Sequence, residues 1–309
     1  MGSPIVHHSS LITLHSSPIT LHSSRIMVSL NALSIDVEDW FHILDIDSSV
    51  SPEQWSKMEN RVVSNTLDLL DILSKHGHVK CTFFVLGWIA ETYPDLIREI
   101  KKKGHEIASH GYAHVLAYQQ NQSEFRDDIR KSRSIIERVA QSEVIGYRVP
   151  GFSIKDENLW AIDILHEEGF LYDSSVFPAR RGHGGMNSAP IYPYQYANGL
   201  WEFPISVVEI SRLRIPFSGG GYFRLLPYYV IRKSIKRVNA GGHPVVVYLH
   251  PRDIDADQPR LPMPITRSLK CYVNLHSAKM KLCKMLDEFS FAPMCEVFQR
   301  YGGFSPYLD

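Results

Sequence analysis

The chain alternates short apolar runs with longer stretches in which apolar residues recur every three or four positions. Leu30, Ala32, Leu33 and Ile35 make the first run and predict a short buried strand. From about Arg61 to His76 the residues Leu67, Leu70, Ile72 and Leu73 form a helical core stripe, and Gly77 stands where a C-terminal cap belongs. Cys81–Leu86 reads as a second strand, and Pro94 opens a helix that three lysines and Gly104 close. His105–Ser109 predicts a third strand, and Ser123 starts a charged amphipathic helix to about Ala140. Val144–Tyr147 is a fourth strand, and a helix over Glu157–Glu168 leads to a fifth at Gly169–Asp173. Residues 178–200 are rich in Gly, Pro, Arg and Tyr and read as a long loop. Trp201–Ile205 suggests another strand, Phe217–Arg224 a flexible turn, and Pro227–Ala240 a basic helix. Val245–Leu249 is the least ambiguous buried strand, and a helix over Asn274–Phe289 precedes a last strand near Phe291–Val297. Such alternation predicts parallel β/α units, most simply a barrel, in a single domain spanning residues 27–309.

Residues 1–26 stand apart. His-Ser-Ser recurs at His8, His15 and His22 with a seven-residue period. The segment has neither the cationic start nor the continuous apolar stretch of a secretory signal, so it reads as a disordered low-complexity tail, with Met27 as an alternative start. Lysine plus arginine equals aspartate plus glutamate at 33 each, which gives no basic footprint for nucleic acid. No run is long enough to cross a bilayer. The cysteines, Cys81, Cys271, Cys283 and Cys295, lack CxxC spacing and read as free thiols in a reducing compartment. The expected location is therefore cytoplasmic, in solution or at the inner membrane face.

Chemistry enters at the strand ends. The first strand runs into Asp36, Glu38 and Asp39, and buried strand ends do not gather carboxylates for stability, because unpaired charges repel and resist desolvation. A metal ion or a catalytic base explains them; so does a solvated turn in which Asp39 caps a helix. His110 and His114 are four residues apart, so on a helical turn they share one face and can bind one ion. With Glu38 or Asp39 they make two histidines and a carboxylate, a set that leaves positions open for water and substrate. His250 follows the Val245–Leu249 run. Every one of these groups lies at the C-terminal end of a predicted strand, the catalytic face of a β/α barrel.

Residues from about 30 to 300 resemble a polysaccharide deacetylase of the NodB-homology superfamily, carbohydrate esterase family 4, in the subgroup associated with exopolysaccharide and exosortase loci. The resemblance rests on blocks in order: Ser34–Trp40, Gly104–Gly111, Tyr147–Ser153, Tyr172–Ser175, Pro216–Arg224, His250-Pro251 and Asp255–Arg260. It implies an α/β fold, the distorted (β/α)7 barrel of the NodB-homology type, with a family-specific C-terminal extension. It implies Asp36 as general base, His250 as general acid, His110 and His114 as metal ligands, Arg148 as the residue that holds the base, and Asp173 as the carboxylate that supports the acid. Two departures stand out. Adjacent aspartates in the superfamily's first motif are replaced by Asp-Val-Glu-Asp, so the metal carboxylate is Glu38 or Asp39. Where the subgroup has Trp-Glu after His-Pro, this chain has Arg252-Asp253.

The implied activity is metal-dependent hydrolysis of N-acetyl groups on hexosamine units of an exopolysaccharide or its lipid-linked precursor. Zinc is the first expectation for the divalent metal, with nickel, cobalt or iron compatible with the same ligands. The partner is an N-acetylated poly- or oligosaccharide, with no nucleic acid and no transmembrane segment; the residues say nothing of oligomeric state. The rivals are an allantoinase-like cyclic-amide hydrolase of the same superfamily and a catalytically inactive sugar-binding scaffold.

Overall fold

Seven consecutive buried residues, Asn31–Val37, form the strand β1 on which the fold is centred. Its faces differ. Ala32 packs with Phe84, Ala108, Val246 and Tyr248 inside the sheet's curl, whereas Leu33, Ile35 and Val37 join the larger core beneath the helices. A strand covered on both sides is the hallmark of a parallel α/β sheet. The computed structural model describes residues 29–301, apart from Asp45, Asp47, Ser48, Gly182 and His183. The N-terminal repeat and Met27 lie outside the described residues.

After β1 come α1 (Pro52–Trp55), α2 (Val62–Lys75), β2 (Thr82–Val85), α3 (Gly87–Thr92), α4 (Pro94–Lys102), β3 (Glu106–Ser109) and α5 (Gln122–Ala140). The chain continues through β4 (Gly146–Tyr147), α6 (Trp160–Glu167), β5 (Tyr172–Asp173), β6 (Tyr194–Gln195), β7 (Trp201–Glu202), β8 (Val207–Ile210) and β9 (Leu213–Pro216). It ends with α7 (Gly220–Leu225), α8 (Tyr228–Ala240), β10 (Val246–Leu249), α9 (Ile265–Tyr272), α10 (Leu275–Glu288), β11 (Phe291–Ala292) and α11 (Met294–Arg300). Sheet order is β10-β1-β2-β3-β4-β5-β7-β6, all parallel except the β6–β7 pair. β11 pairs with the first residues of β1, ahead of the point where β2 takes over. Beyond β7 the chain bonds back to both ends of the path: Phe203 N to the Asp173 carbonyl, Ile205 N to Val176, and Ser206 N to the Val246 carbonyl of β10. The seven parallel strands β1 to β5, β7 and β10 thus curl into the distorted barrel expected from the sequence.

The helices follow local rules. Asn121 accepts from the Ser123 and Glu124 amides while the Glu124 carboxylate accepts from the Asn121 amide, a reciprocal cap that starts α5. Pro94 stands at the start of α4 and Lys101 and Lys102 in its last turn, where cations suit the helix dipole. Several expectations are corrected. Leu67 is 43% exposed and points away from the core, which Leu69, Leu70, Ile72 and Leu73 fill instead. Strands β4 and β5 are two residues each, and the stretch after Ala292 is the helix α11 rather than strand. The glycine run is not a loose turn. Gly219 forms a parallel bridge with Tyr248, and a Cβ there would sit 2.2 Å from the Tyr248 ring, so the backbone must approach β10 bare. Helix α7 begins at the next residue.

Helix α7 is short and is held at its C-terminal end by Lys281 of α10. The buried ammonium donates to the carbonyls of Phe223 (3.2 Å), Arg224 (2.5 Å) and Leu226 (2.8 Å). Replacing Lys281 by Met keeps the packing stem and leaves those carbonyls without their donor. Lys281→Met is expected to cost about 2 kcal/mol, the scale of an unmet buried polar group, read as a lowered urea midpoint; an unchanged midpoint would show that the cation does not anchor α7.

Candidate active site

The barrel's C-terminal rim gathers the polar groups. Arg148, immediately after β4, is fully buried. Its Nη1 donates to Asp36 Oδ1 at 2.6 Å and to Ser34 Oγ at 2.8 Å, its Nη2 to Ser174 Oγ at 2.8 Å, and its Nε to the Ser174 carbonyl at 3.0 Å. The guanidinium also lies over Phe84, 4.1 Å from the ring centre. Asp36 is thereby pinned through one oxygen, and the other lies 4.0 Å from His250 Nε2.

Glu38 is the meeting point of the histidines. Its Oε1 is 3.2 Å from His110 Nε2, 2.9 Å from His114 Nε2 and 3.7 Å from His250 Nε2. His110 Nδ1 lies 2.7 Å from the Arg148 carbonyl, which can only accept, so Nδ1 carries a hydrogen and Nε2 is the atom turned to the carboxylate. At 3.2 Å, Nε2 and the carboxylate need a proton or a metal cation between them. The ionisation balance shows the same demand. Burial pushes Glu38 up, but His114, His250 and His110 together hold it well below the usual carboxylate range. Burial pushes His110 down, but the Glu38 hydrogen bond and the Asp36 and Glu38 charges leave it above the ordinary imidazole value. Glu38, His110 and His114 thus fit a divalent cation: one oxygen and two imidazole nitrogens, all buried and within 4.8 Å of one another.

His110 and His114 do not reach Glu38 from a helix, as their spacing suggests. The segment between β3 and Ala117 is irregular, with Gly111 at φ 75° and His114 itself at φ 54°. Asp128 of α5 braces it by accepting from the Tyr112 amide at 2.9 Å and the Ala113 amide at 3.4 Å. A positive φ at a residue other than glycine costs energy, and here it aims an imidazole into the site.

Asp39 is spent elsewhere. Its Oδ1 accepts from the Trp40 amide, and its Oδ2 from the amides of Arg61 and Val62 at the start of α2. Of the two carboxylates left open by the sequence, only Glu38 is brought to the histidines. Asp173 is not brought to His250. It sits opposite Glu202 in the β5–β7 ladder and accepts from Ser175 Oγ at 2.5 Å. The carboxylate beside His250 is that of Asp253, whose Oδ2 takes the His250 amide (2.8 Å) and lies 3.0 Å from Nδ1. Its other oxygen is ion-paired with Arg224 of α7. Asp253 was legible only as the third residue after His250 on a turn begun by Pro251, a local pattern with many other uses. Burial lowers His250 to about 4, so the ring rests neutral, Nδ1–H on Asp253 and its Nε2 lone pair toward Asp36. His42, also unmarked by the sequence, lines the same cleft, its Nδ1 accepting from the Asp39 amide.

Asp36, Glu38, His42, His110, His114 and His250 line one cleft of about 650 Å³. A family model described as polysaccharide deacetylase matches residues 56–166, which include His110, His114 and Arg148. Residues 56–166 thus carry a polysaccharide deacetylase domain. A second model, described as a domain of unknown function (DUF3473), matches residues 174–299, the part that carries His250 and Asp253. A peptidoglycan-N-acetylglucosamine deacetylase of Bacillus cereus is 36% identical over 121 residues, 35% of this chain and 44% of that protein. A chitooligosaccharide deacetylase of a Bradyrhizobium species is 33% identical over 101 residues, 32% of this chain and 43% of its own. The chain therefore matches less than half the length of these curated relatives. A solved structure of a Mycobacterium smegmatis protein classed as a polysaccharide deacetylase superposes with a TM-score of 0.58 at 22% identity, covering 93% of this chain and 96% of that one, and shows the shared fold.

The Asp173–Glu202 pair generates a pH prediction. Asp173 Oδ2 and Glu202 Oε2 are buried and neither meets a donor among the described residues, so the two can coexist only by sharing a proton. Burial raises both, and the charge of Asp173 raises Glu202 further. A carboxyl raised on folding contributes stability below its unfolded pKa of about 4 and loses it as pH climbs through the folded value. Wild-type stability should therefore fall between pH 5 and pH 8, and Glu202→Gln, which keeps an N–H donor toward Asp173, should flatten that fall. Urea denaturation at both pH values checks this; parallel losses in the two proteins would refute the shared proton.

Proposed function

We propose that this protein hydrolyses the N-acetyl group of hexosamine units in an exopolysaccharide or its lipid-linked precursor, with Asp36 as general base and His250 as the group that protonates the leaving nitrogen. The observation that carries the reading is the pairing of two proton carriers, Asp36 and His250, across 4.0 Å beside three converging ligands. Glu38, His110 and His114 would hold a divalent cation, zinc being the simplest match to two imidazoles and a carboxylate; bound there, it supplies Lewis acidity toward the amide carbonyl and an acidified water.

The chain's own residues do the rest. Asp36, with Oδ1 fixed by Arg148, offers Oδ2 to the water proton, and the guanidinium keeps the carboxylate oriented as charge changes. An amide nitrogen leaves as an amine, not as an anion, so a proton must reach it. His250 Nε2 faces both Asp36 and the cleft, and the proton taken from water is the one that the nitrogen needs. Asp253 fixes the Nδ1–H tautomer and stabilises the imidazolium that forms in passing. Arg224 holds Asp253, and α7 holds Arg224, so the acid side of the site is supported from the second half of the chain. Asp173 stands on the base side, within reach of the Arg148 charge and opposite Glu202 rather than beside His250. Among the described residues no helix is long and apolar enough to cross a membrane.

Asp36→Asn should abolish acetate release from N-acetylated oligosaccharide, by a factor of roughly 10³ or more, while zinc binding measured by calorimetry stays near wild type. Wild-type turnover by this variant would remove the base assignment. Chelation should abolish activity and zinc or cobalt restore it, and His110→Ala should not be restored. Asp253→Asn should lose turnover where Asp173→Asn chiefly loses stability; the reverse pattern would return Asp173 to the acid.

A further inference from the structure

The cleft carries a charge that N-deacetylation of a neutral sugar does not use. Its lining includes Arg180, Arg181, Arg224, Arg252, Arg267 and Lys270, against only Asp36 and Glu38 as described carboxylates. Asp36 is paired with Arg148, Glu38 is engaged by His110 and His114, and Arg224 is paired with Asp253. What remains is a cationic rim around a substrate pocket.

Several of its donors are already desolvated and unpaired. Arg252 Nε and Nη1, Arg181 Nη1 and Arg267 Nε are shielded from water and meet no acceptor among the described residues. Leaving a buried N–H of a guanidinium unmet is costly, and the three side chains are themselves only half-buried on the cleft wall, so an anion that enters the cleft meets cations no protein group has neutralised. The side chains are positioned rather than loose. Arg181 lies over Phe177 and Phe152, its guanidinium 4.5 Å and 5.2 Å from their ring centres. Arg267 is tethered through Nη2 to the Leu44 carbonyl at 2.9 Å. Arg252 follows His250 by two residues on the turn begun by Pro251, which sets it beside the proton-donating ring. Planar guanidinium groups held in this way match the paired oxygens of a phosphate or carboxylate.

We propose that the rim formed by Arg181, Arg252 and Arg267 is an oxyanion subsite, and that the substrate is an anionic N-acetylhexosamine glycan bearing a phosphate or carboxylate next to the acetylated sugar. The inference rests on the deacetylase reading and narrows its substrate class. Two sources carry that chemistry. One is a sugar carboxylate on the adjoining residue of a polysaccharide. The other is a phosphodiester that joins the sugar to a lipid, for which Leu225 and Leu269, 55% and 61% exposed on the same rim, offer an apolar neighbour.

Acetate release distinguishes them. The substrates are neutral chitotetraose, an N-acetylglucosamine–glucuronate tetrasaccharide, and N-acetylglucosamine linked through diphosphate to a short prenol. At least one anionic substrate should exceed chitotetraose tenfold or more in kcat/KM, with the gain in KM. Arg252→Gln and Arg181→Gln should cut the anionic-to-neutral ratio at least fivefold; the preferred substrate names the source. Chitotetraose turned over as well as both anionic substrates overturns the proposal. Calorimetry with N-acetylglucosamine 1-phosphate against N-acetylglucosamine needs no turnover. Tighter binding of the phosphate, weakened in Arg252→Gln, with no acetate from any substrate, sinks the deacetylase reading and leaves the oxyanion subsite standing. Equal affinity for the two sugars, or a phosphate preference unchanged in both variants, overturns the subsite even where acetate is released.

Discussion

The buried guanidinium of Arg148 is the interaction on which the site depends. It is fully removed from water, yet its donors are met by Asp36, Ser34 and Ser174 and its face by Phe84. Ser34 passes the chain of bonds on to the Val247 carbonyl of β10, and Ser174 passes it to Phe203, where the barrel closes. The backbone of the same residue serves as well, its carbonyl taking the His110 ring N–H and its amide bonding the Ser109 carbonyl of β3. One residue therefore sets Asp36, the His110 ring and the mutual position of strands β1, β3, β4 and β5. A charge so placed is tolerated only because it is paired and hydrogen-bonded: loss of the Asp36 charge would leave an uncompensated ion in the core, and loss of either serine an unmet donor.

Charge balance explains why the site has two halves of opposite character. On the inner side, carboxylates outnumber permanent cations: Asp36, Glu38, Asp173 and Glu202 face one buried arginine and the His110–His114 pair, and protons or a metal must supply the difference. On the outer side arginines outnumber carboxylates, and only Asp253 answers them. The boundary runs through His250, which touches Asp253 on one nitrogen and looks toward Asp36 with the other. Under the proposed reaction His250 both accepts and releases a proton, and that place between the two halves suits it.

Much of this was legible in the sequence because strand ends and helix caps are local. The buried run at β10, the capped helices α4 and α5 and the carboxylates after β1 all announce themselves through neighbours a few residues apart. Their convergence on one barrel rim followed from alternation of strand and helix. What the sequence hid were choices made by distant partners. Glu38 and Asp39 are adjacent, and only the amides at the start of α2 decide that Asp39 becomes a cap. Asp173 and Asp253 are both aspartates near strand ends; the first lies opposite Glu202 in the β5–β7 ladder, and the turn begun by Pro251 brings the second to His250. The histidine pair converges on Glu38, but from an irregular loop rather than a helical turn, because Asp128, on a helix that begins later in the chain, braces that loop in a path with positive φ at Gly111 and His114. The Gly219–Gly221 run reads as flexibility in isolation; the close approach of Tyr248 shows it to be a packing requirement.

The central claim is that Glu38, and not its neighbour Asp39, joins His110 and His114 around a single divalent ion while Asp36 stays free to carry a proton. An anomalous difference map at the zinc edge, from crystals of the full chain grown with zinc, tests it most directly. The account predicts one strong peak within about 2.1 Å of His110 Nε2, His114 Nε2 and a Glu38 oxygen, with Asp36 outside bonding distance and Asp39 still on the α2 amides. A peak ligated by Asp39, or a zinc ion that ignores both histidines, would contradict it.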